Sequence, residues 1–249
     1  MNLTRKRRQS AKASPDAMTL AEHLAELRRR VVISAAAFVV MATVAFLAYN
    51  PILAFLKHPY CQAAPTHCSF YVTGPLDGLS LRVHISAYGG LFLASPVVLW
   101  QLWRFITPGL RPTEKRYAVP FVIASVLLFL FGCAVVYVVL PHTLGWLVHV
   151  GGPRIRPLLN PNTYFTLVLL LMVLFGITFE FPVLLVALQL ARVLKPATLL
   201  RHWRWWVIGI TLASAFFTPS SDPFSMIALA VPLTFFYFAS AGVGKLLRR

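Results

Sequence analysis

Seven acidic residues stand against 23 Lys+Arg in a chain of 249 residues, so the placement of the acids carries most of the chemical information. Glu26 lies in His23-Leu24-Ala25-Glu26-Leu27-Arg28-Arg29-Arg30, immediately before a long apolar run. Glu114 lies in the connection Trp103 to Arg116, which also holds Phe105, Pro108, Arg111 and Lys115. Each of these carboxylates either pairs locally, Glu26 with Arg29 or Arg30 at helical spacing and Glu114 with a nearby base, or is held for a cation from elsewhere. Glu180 falls inside an apolar run, where an ionisable side chain costs several kcal/mol unless it meets a cavity or a partner. It is therefore either functional or a protonated group hydrogen-bonded to a neighbouring helix. Asp222, in Thr218-Pro219-Ser220-Ser221-Asp222-Pro223, suits a turn before proline. Cys61 and Cys68 share one short segment and are placed to form a disulfide in an oxidising compartment, whereas Cys133 reads as a small packing residue. His58 and His67 lie near that pair without the paired CxxC spacing of a metal site, so no metal is expected. The chain has no phosphate-binding GxxxxGK[ST] loop, HExxH or GxSxG, so no cofactor and no enzyme activity are expected.

The elements that must position these residues are membrane spans. Hydrophobic residues make up 58% of the chain and charged residues 12%, unlike the balance of a water-solvated globule. Stretches near the ~20 apolar residues needed to cross a bilayer occur at 31–49, 83–103, 117–140, 164–191, 203–217 and 224–241. The predicted fold is all-α, with a basic arm over 1–18 and a six-helix membrane domain over 19–249. Nineteen of the 23 basic residues fall in the amino-terminal arm, the second and fourth connections and the tail; Lys57, Arg82, Arg154 and Arg156 fall on the other side. The positive-inside rule then puts both termini in the cytoplasm. The basic residues are spread over four segments and form no stripe with interleaved aromatics, which argues against nucleic acid. The arm can instead rest on anionic lipid, at about 1 kcal/mol per basic residue.

Pro96, Pro120, Pro182 and Pro232 are expected to bend four spans. The external connections 50–78 and 141–163 are long enough to form small caps. The stretch 203–217 covers only ~23 Å as a helix, so the last two spans are expected to form a short hairpin.

Four separated motifs, the HLxELRxR-like segment 23–30, the WxFxxPGL loop running to Glu114 and Arg116, the Phe179-Glu180-Phe181-Pro182 step and the TPxSDPFS turn 218–225, resemble those of the TatC family in order and spacing. TatC is the multispanning receptor subunit of the twin-arginine protein translocase. The resemblance runs from about residue 19 to 245 and implies a concave bundle and a core scaffold for exporting folded proteins with the proton-motive force. It implies that Glu26 and Glu114 receive the paired arginines of a signal peptide. Arg28 and Arg30 would orient Glu26, while Gln101, Phe105 and Pro108 would hold the peptide. It places Glu180 at contacts with TatA and TatB-type single-span subunits, leaves Asp222 in an external turn, and implies assembly of several copies in a bacterial cytoplasmic membrane. The alternative is a proton- or ion-coupled solute transporter with Glu180 as coupling acid. That reading predicts inverted repeats or paired broken helices, and neither is visible in the sequence.

Overall fold

The computed structural model describes residues 20–63, 70–71, 74–106, 118–150, 160–218 and 222–247, all helical or connecting, with no strand among them. Nine described helices follow in order: α1 Leu20–Leu47, α2 Tyr49–Ala63, α3 Asp77–Ile106, α4 Ala118–Val150, α5 Pro161–Thr178, α6 Phe181–Leu190, α7 Pro196–Arg201, α8 Trp203–Phe217 and α9 Pro223–Leu247. Five segments, α1, α3, α4, α5 with α6, and α9, are long and apolar enough to cross a membrane, which makes this a multi-pass membrane protein. The helix α8, with 15 residues, has the bounds expected from the sequence and is too short to count among them.

The hydrophobic boundaries underestimate the helices. The first helix begins at Leu20, so the segment carrying Glu26 is continuous with the span and not a flanking loop. Residues 49–63, expected in an external connection, form α2, and residues 141–150 extend α4. The last span is not short: α9 runs 25 residues, starting on the buried Asp222, whose Oδ1 accepts Ser225 N–H at 2.7 Å as a helix N-cap. Asp222 Oδ1 also accepts Thr143 Oγ1–H at 3.2 Å, tying α9 to α4.

Prolines act differently according to what their missing N–H leaves behind. Pro182 separates α5 from α6, with Phe179 and Glu180 as the break. Pro96 does not interrupt α3: Ser95 Oγ–H donates at 2.7 Å to the Phe92 carbonyl, the acceptor that Pro96 cannot serve. The helix α9 also continues through Pro232, and Pro120 lies in the first turn of α4, where proline costs little. The carboxyl end of α6 closes with Arg192 at φ 61°; Val193 N–H reaches Leu188 O at 3.0 Å and Arg192 N–H reaches Gln189 O at 3.2 Å, the Schellman pattern.

The core centres on α5, whose Phe165, Val168, Leu169 and Phe175 are almost fully buried against α4 and α3. At the α2 end, Tyr164 donates its hydroxyl hydrogen to Leu56 O at 2.9 Å and packs with Tyr60 and Phe70, fastening α2 to the bundle. The first helix is packed chiefly on α3. Gly90 brings the two backbones together: a Cβ there would lie 2.5 Å from Ala42 Cα. At the other end of the bundle, Gln189 of α6 donates to Ser240 O of α9 at 3.2 Å.

Candidate functional site

The end of α1 that precedes its apolar stretch packs beside the carboxyl end of α3. Glu26 and Arg30 are four apart on α1 and so share a helix face. Arg30 donates from both Nε, at 3.2 Å, and Nη2 to the same Glu26 oxygen, Oε1. Its remaining nitrogen, Nη1, donates to Gln101 Oε1 on α3 at 3.2 Å. Glu26 Oε2 is buried and has no hydrogen-bond partner among the described residues. One oxygen is thus saturated by the chain itself, and the other is a desolvated acceptor whose unpaired state costs about 1–3 kcal/mol. An incoming guanidinium or ammonium donor would remove that cost.

The local pairing therefore forms with Arg30 and leaves half of the carboxylate open. Arg28 is exposed and makes no ion pair with Glu26 among the described residues. Phe105, one turn beyond Gln101, stacks on His23 of α1 with ring centroids 4.5 Å apart. In the sequence, His23 is marked only as the first residue of the 23–30 motif, three residues before Glu26. Beside these residues an apolar groove of about 400 Å³ runs between the two helices, with Arg30, Gln101 and Phe105 at one end and Phe38 deeper in. Pro108 and Glu114 lie outside the described residues.

Within the apolar segment Pro161–Leu190, Glu180 sits in the break between α5 and α6 and makes no capping bond with its side chain. Glu180 Oε1 is buried without a hydrogen-bond partner among the described residues. Ser125 of α4 accepts Trp103 Nε1–H at 2.6 Å. The sequence marks Ser125 only as the one serine in the apolar run 118–140, and Trp103 only as the first residue of the 103–116 motif. Cys61 is disulfide-bonded and Cys133 is free and buried, while Cys68 lies outside the described residues.

The family model for the Sec-independent protein translocase protein (TatC) matches residues 22–232. This chain belongs to the TatC family. A TatC protein of Frankia casuarinae is 38% identical over 241 residues, covering 92% of this chain and 66% of that protein. The Aquifex aeolicus TatC is 36% identical over 235 residues, covering 93% of this chain and 97% of its own. Among solved structures, a crystal structure of the twin-arginine translocase receptor TatC matches with a TM-score of 0.73 at 34% identity, covering 92% of this chain and 100% of that chain. All four motifs begin within the matched TatC span, so the arrangement around Glu26 and Glu180 belongs to a TatC-type bundle.

Proposed function

We propose that this TatC-family chain is the signal-peptide receptor and core scaffold of a twin-arginine translocase, moving folded proteins across a bacterial cytoplasmic membrane with the proton-motive force. The observation that carries this reading is the half-paired Glu26, with Oε2 buried and open beside Arg30 and Gln101. One signal-peptide arginine pairs with that oxygen and the second with Glu114 across the following connection, since guanidinium groups bond planar carboxylates better than ammonium groups do. Phe105 and Pro108 border the peptide, and Arg28 adds to the basic face. In this reading α8 is the fifth of six spans and both termini face the cytoplasm, in agreement with the distribution of Lys and Arg. Glu180 Oε1 is the acceptor left for TatA and TatB-type single-span subunits, and several copies assemble in the complex. The relatives are translocase components, which disfavours the solute-transporter alternative.

The test places a photocrosslinking side chain at the exposed Leu24 and presents signal peptides bearing Arg-Arg or Lys-Lys. Arg-Arg is expected to label more strongly. Glu26→Gln should lower that labelling about tenfold or more, because a hydrogen bond to a charged group is worth about 1.5–3 kcal/mol. Equal labelling by the two peptides defeats the recognition claim.

A further inference from the structure

The end of α3 that meets α1 through Gln101 and Phe105 has another outward flank, toward α4. Pro96, Trp100 and Arg104 follow one another at four-residue spacing, so they share a helix face, each about 6 Å further along the axis. Between Pro96 and Trp100 on one side and Val119, Ile123 and Leu127 of α4 on the other runs a groove of about 500 Å³. Trp103 turns inward beside it, stacks on Phe121 of α4 with centroids 4.9 Å apart, and donates its indole N–H to Ser125 Oγ at 2.6 Å. These rings stand between the two helices, while the α4 residues on the outer side are mostly valine and too short to fill the space.

The groove opens to lipid. Both of its walls belong to spans, and Ile123 and Leu127 are more than half exposed. Its only polar side-chain atom is the Trp100 indole nitrogen. The two helices touch directly, and packed helix axes lie about 8–10 Å apart. A third helix, about 10–12 Å across, would rest over such a furrow, whereas an unbranched hydrocarbon chain fits within it.

The chemistry changes at the carboxyl end of α3. The apolar stretch 83–103 stops there, so Arg104 is the first charge beyond the hydrocarbon, one turn past Trp100. Arg104 is exposed, and neither its guanidinium nor the Trp100 indole N–H has a partner among the described residues. The sequence joining α3 to α4 adds Arg111, Lys115 and Arg116 against one acid, Glu114, so the connection between the walls is basic. A guanidinium offers two parallel N–H bonds to a phosphate, and an interfacial tryptophan keeps its ring in hydrocarbon with its N–H toward the headgroups.

We propose that the α3–α4 groove seats an acyl chain of an anionic phospholipid whose phosphate is held by Arg104 and the Trp100 indole N–H. In the orientation proposed above this lipid belongs to the cytoplasmic leaflet. The site lies on a different flank of α3 from the Glu26 groove and does not depend on the receptor reading.

The experiment reconstitutes the full chain in phosphatidylcholine vesicles containing phosphatidylglycerol. A photoreactive acyl chain is carried by one lipid or by the other, and the labelled residues are mapped. Labelling at Ile123 and Leu127 is read against Leu212 of α8, a lipid-exposed residue far from the groove in sequence. Phosphatidylglycerol should label the groove about fivefold more than phosphatidylcholine, the factor that one basic residue contributes at an anionic surface. Arg104→Ala should bring the two lipids to equal labelling. Val126→Phe, which fills the groove, should remove most of the labelling at Leu127 by both lipids and leave Leu212 as it was.

Equal labelling by the two lipids in the parent, the result for an ordinary lipid belt, overturns the proposal. So does a preference that survives Arg104→Ala. Loss of the preference in excess inorganic phosphate would make the site one for a free anion, and displacement by an added Arg-Arg signal peptide would give the groove to the peptide; each overturns the lipid assignment. Equal labelling by Arg-Arg and Lys-Lys peptides at Leu24 defeats the receptor reading alone.

Discussion

Replacing Gly90 by alanine tests how the recognition site depends on packing in the middle of the membrane. The added Cβ would meet Ala42 at 2.5 Å from Cα, 2.6 Å from N and 2.7 Å from Cβ. Two of these atoms are backbone, so no side chain can turn aside, and the helices must separate by roughly 1 Å to restore van der Waals contact. Overpacking of this kind costs about 1–3 kcal/mol. The site lies eleven residues along α3, about 16 Å from the obstruction. If α1 moves as a rigid rod, the Arg30–Gln101 bond, now 3.2 Å, opens beyond hydrogen-bonding range. The His23–Phe105 stack loosens with it, whereas the Glu26–Arg30 pair, contained within α1, survives. Gly90→Ala is therefore expected to lower the thermal midpoint and to reduce Arg-Arg peptide crosslinking at Leu24 without abolishing expression. Gly78→Ala is the control: a Cβ there meets nothing within 4 Å, and alanine favours the helix by up to about 1 kcal/mol. Equal melting and equal labelling in Gly90→Ala and the unmodified protein would refute the claim that α1–α3 contact sets the site.

Asp222→Ala should destabilise the protein by about 1–2 kcal/mol through loss of the α9 cap, while Asp222→Asn, which keeps an oxygen for Ser225 N–H, should lie close to the parent in thermal unfolding. Arg192→Gly should raise stability by about 1 kcal/mol, because the residue is held at φ 61°, where glycine has no Cβ penalty; an unchanged midpoint would contradict this. Alkylation of membranes before and after reduction should label Cys61 only after reduction, and Cys61→Ser should expose one newly reactive thiol, at Cys68. Labelling of Cys68 without reduction in the parent would refute that pairing.

How much could be read in advance varies with the kind of contact. The bounds of α8 match the apolar stretch 203–217, and the break near Glu180 follows from Pro182. Pro96 and Pro232 have the same side chain and produce no break, because the outcome depends on what replaces the lost backbone bond, as Ser95 does at Phe92 O. The helix α2 was hidden because its polar residues, Asn50, Lys57, His58 and Gln62, break the hydropathy signal while leaving the backbone free to coil. The helices α3, α4 and α9 run past their apolar stretches because apolar length measures hydrocarbon thickness and not where a helix stops.

The sequence alone determines the multi-pass architecture and, through four motifs, the family, since burial in lipid is paid along one dimension and every backbone group in a span must be satisfied internally. Tertiary structure decides which groups meet. Arg30 reaches Gln101 across 71 positions and Trp103 reaches Ser125 across 22, and both contacts depend on the rotation of one helix against another. Hydropathy carries little of that information, because a lipid tail and a packed leucine are equally apolar neighbours. The sequence therefore supplies the scarce carboxylates, whereas packing decides which oxygen of Glu26 stays open and leaves Glu180 Oε1 buried without a partner among the described residues.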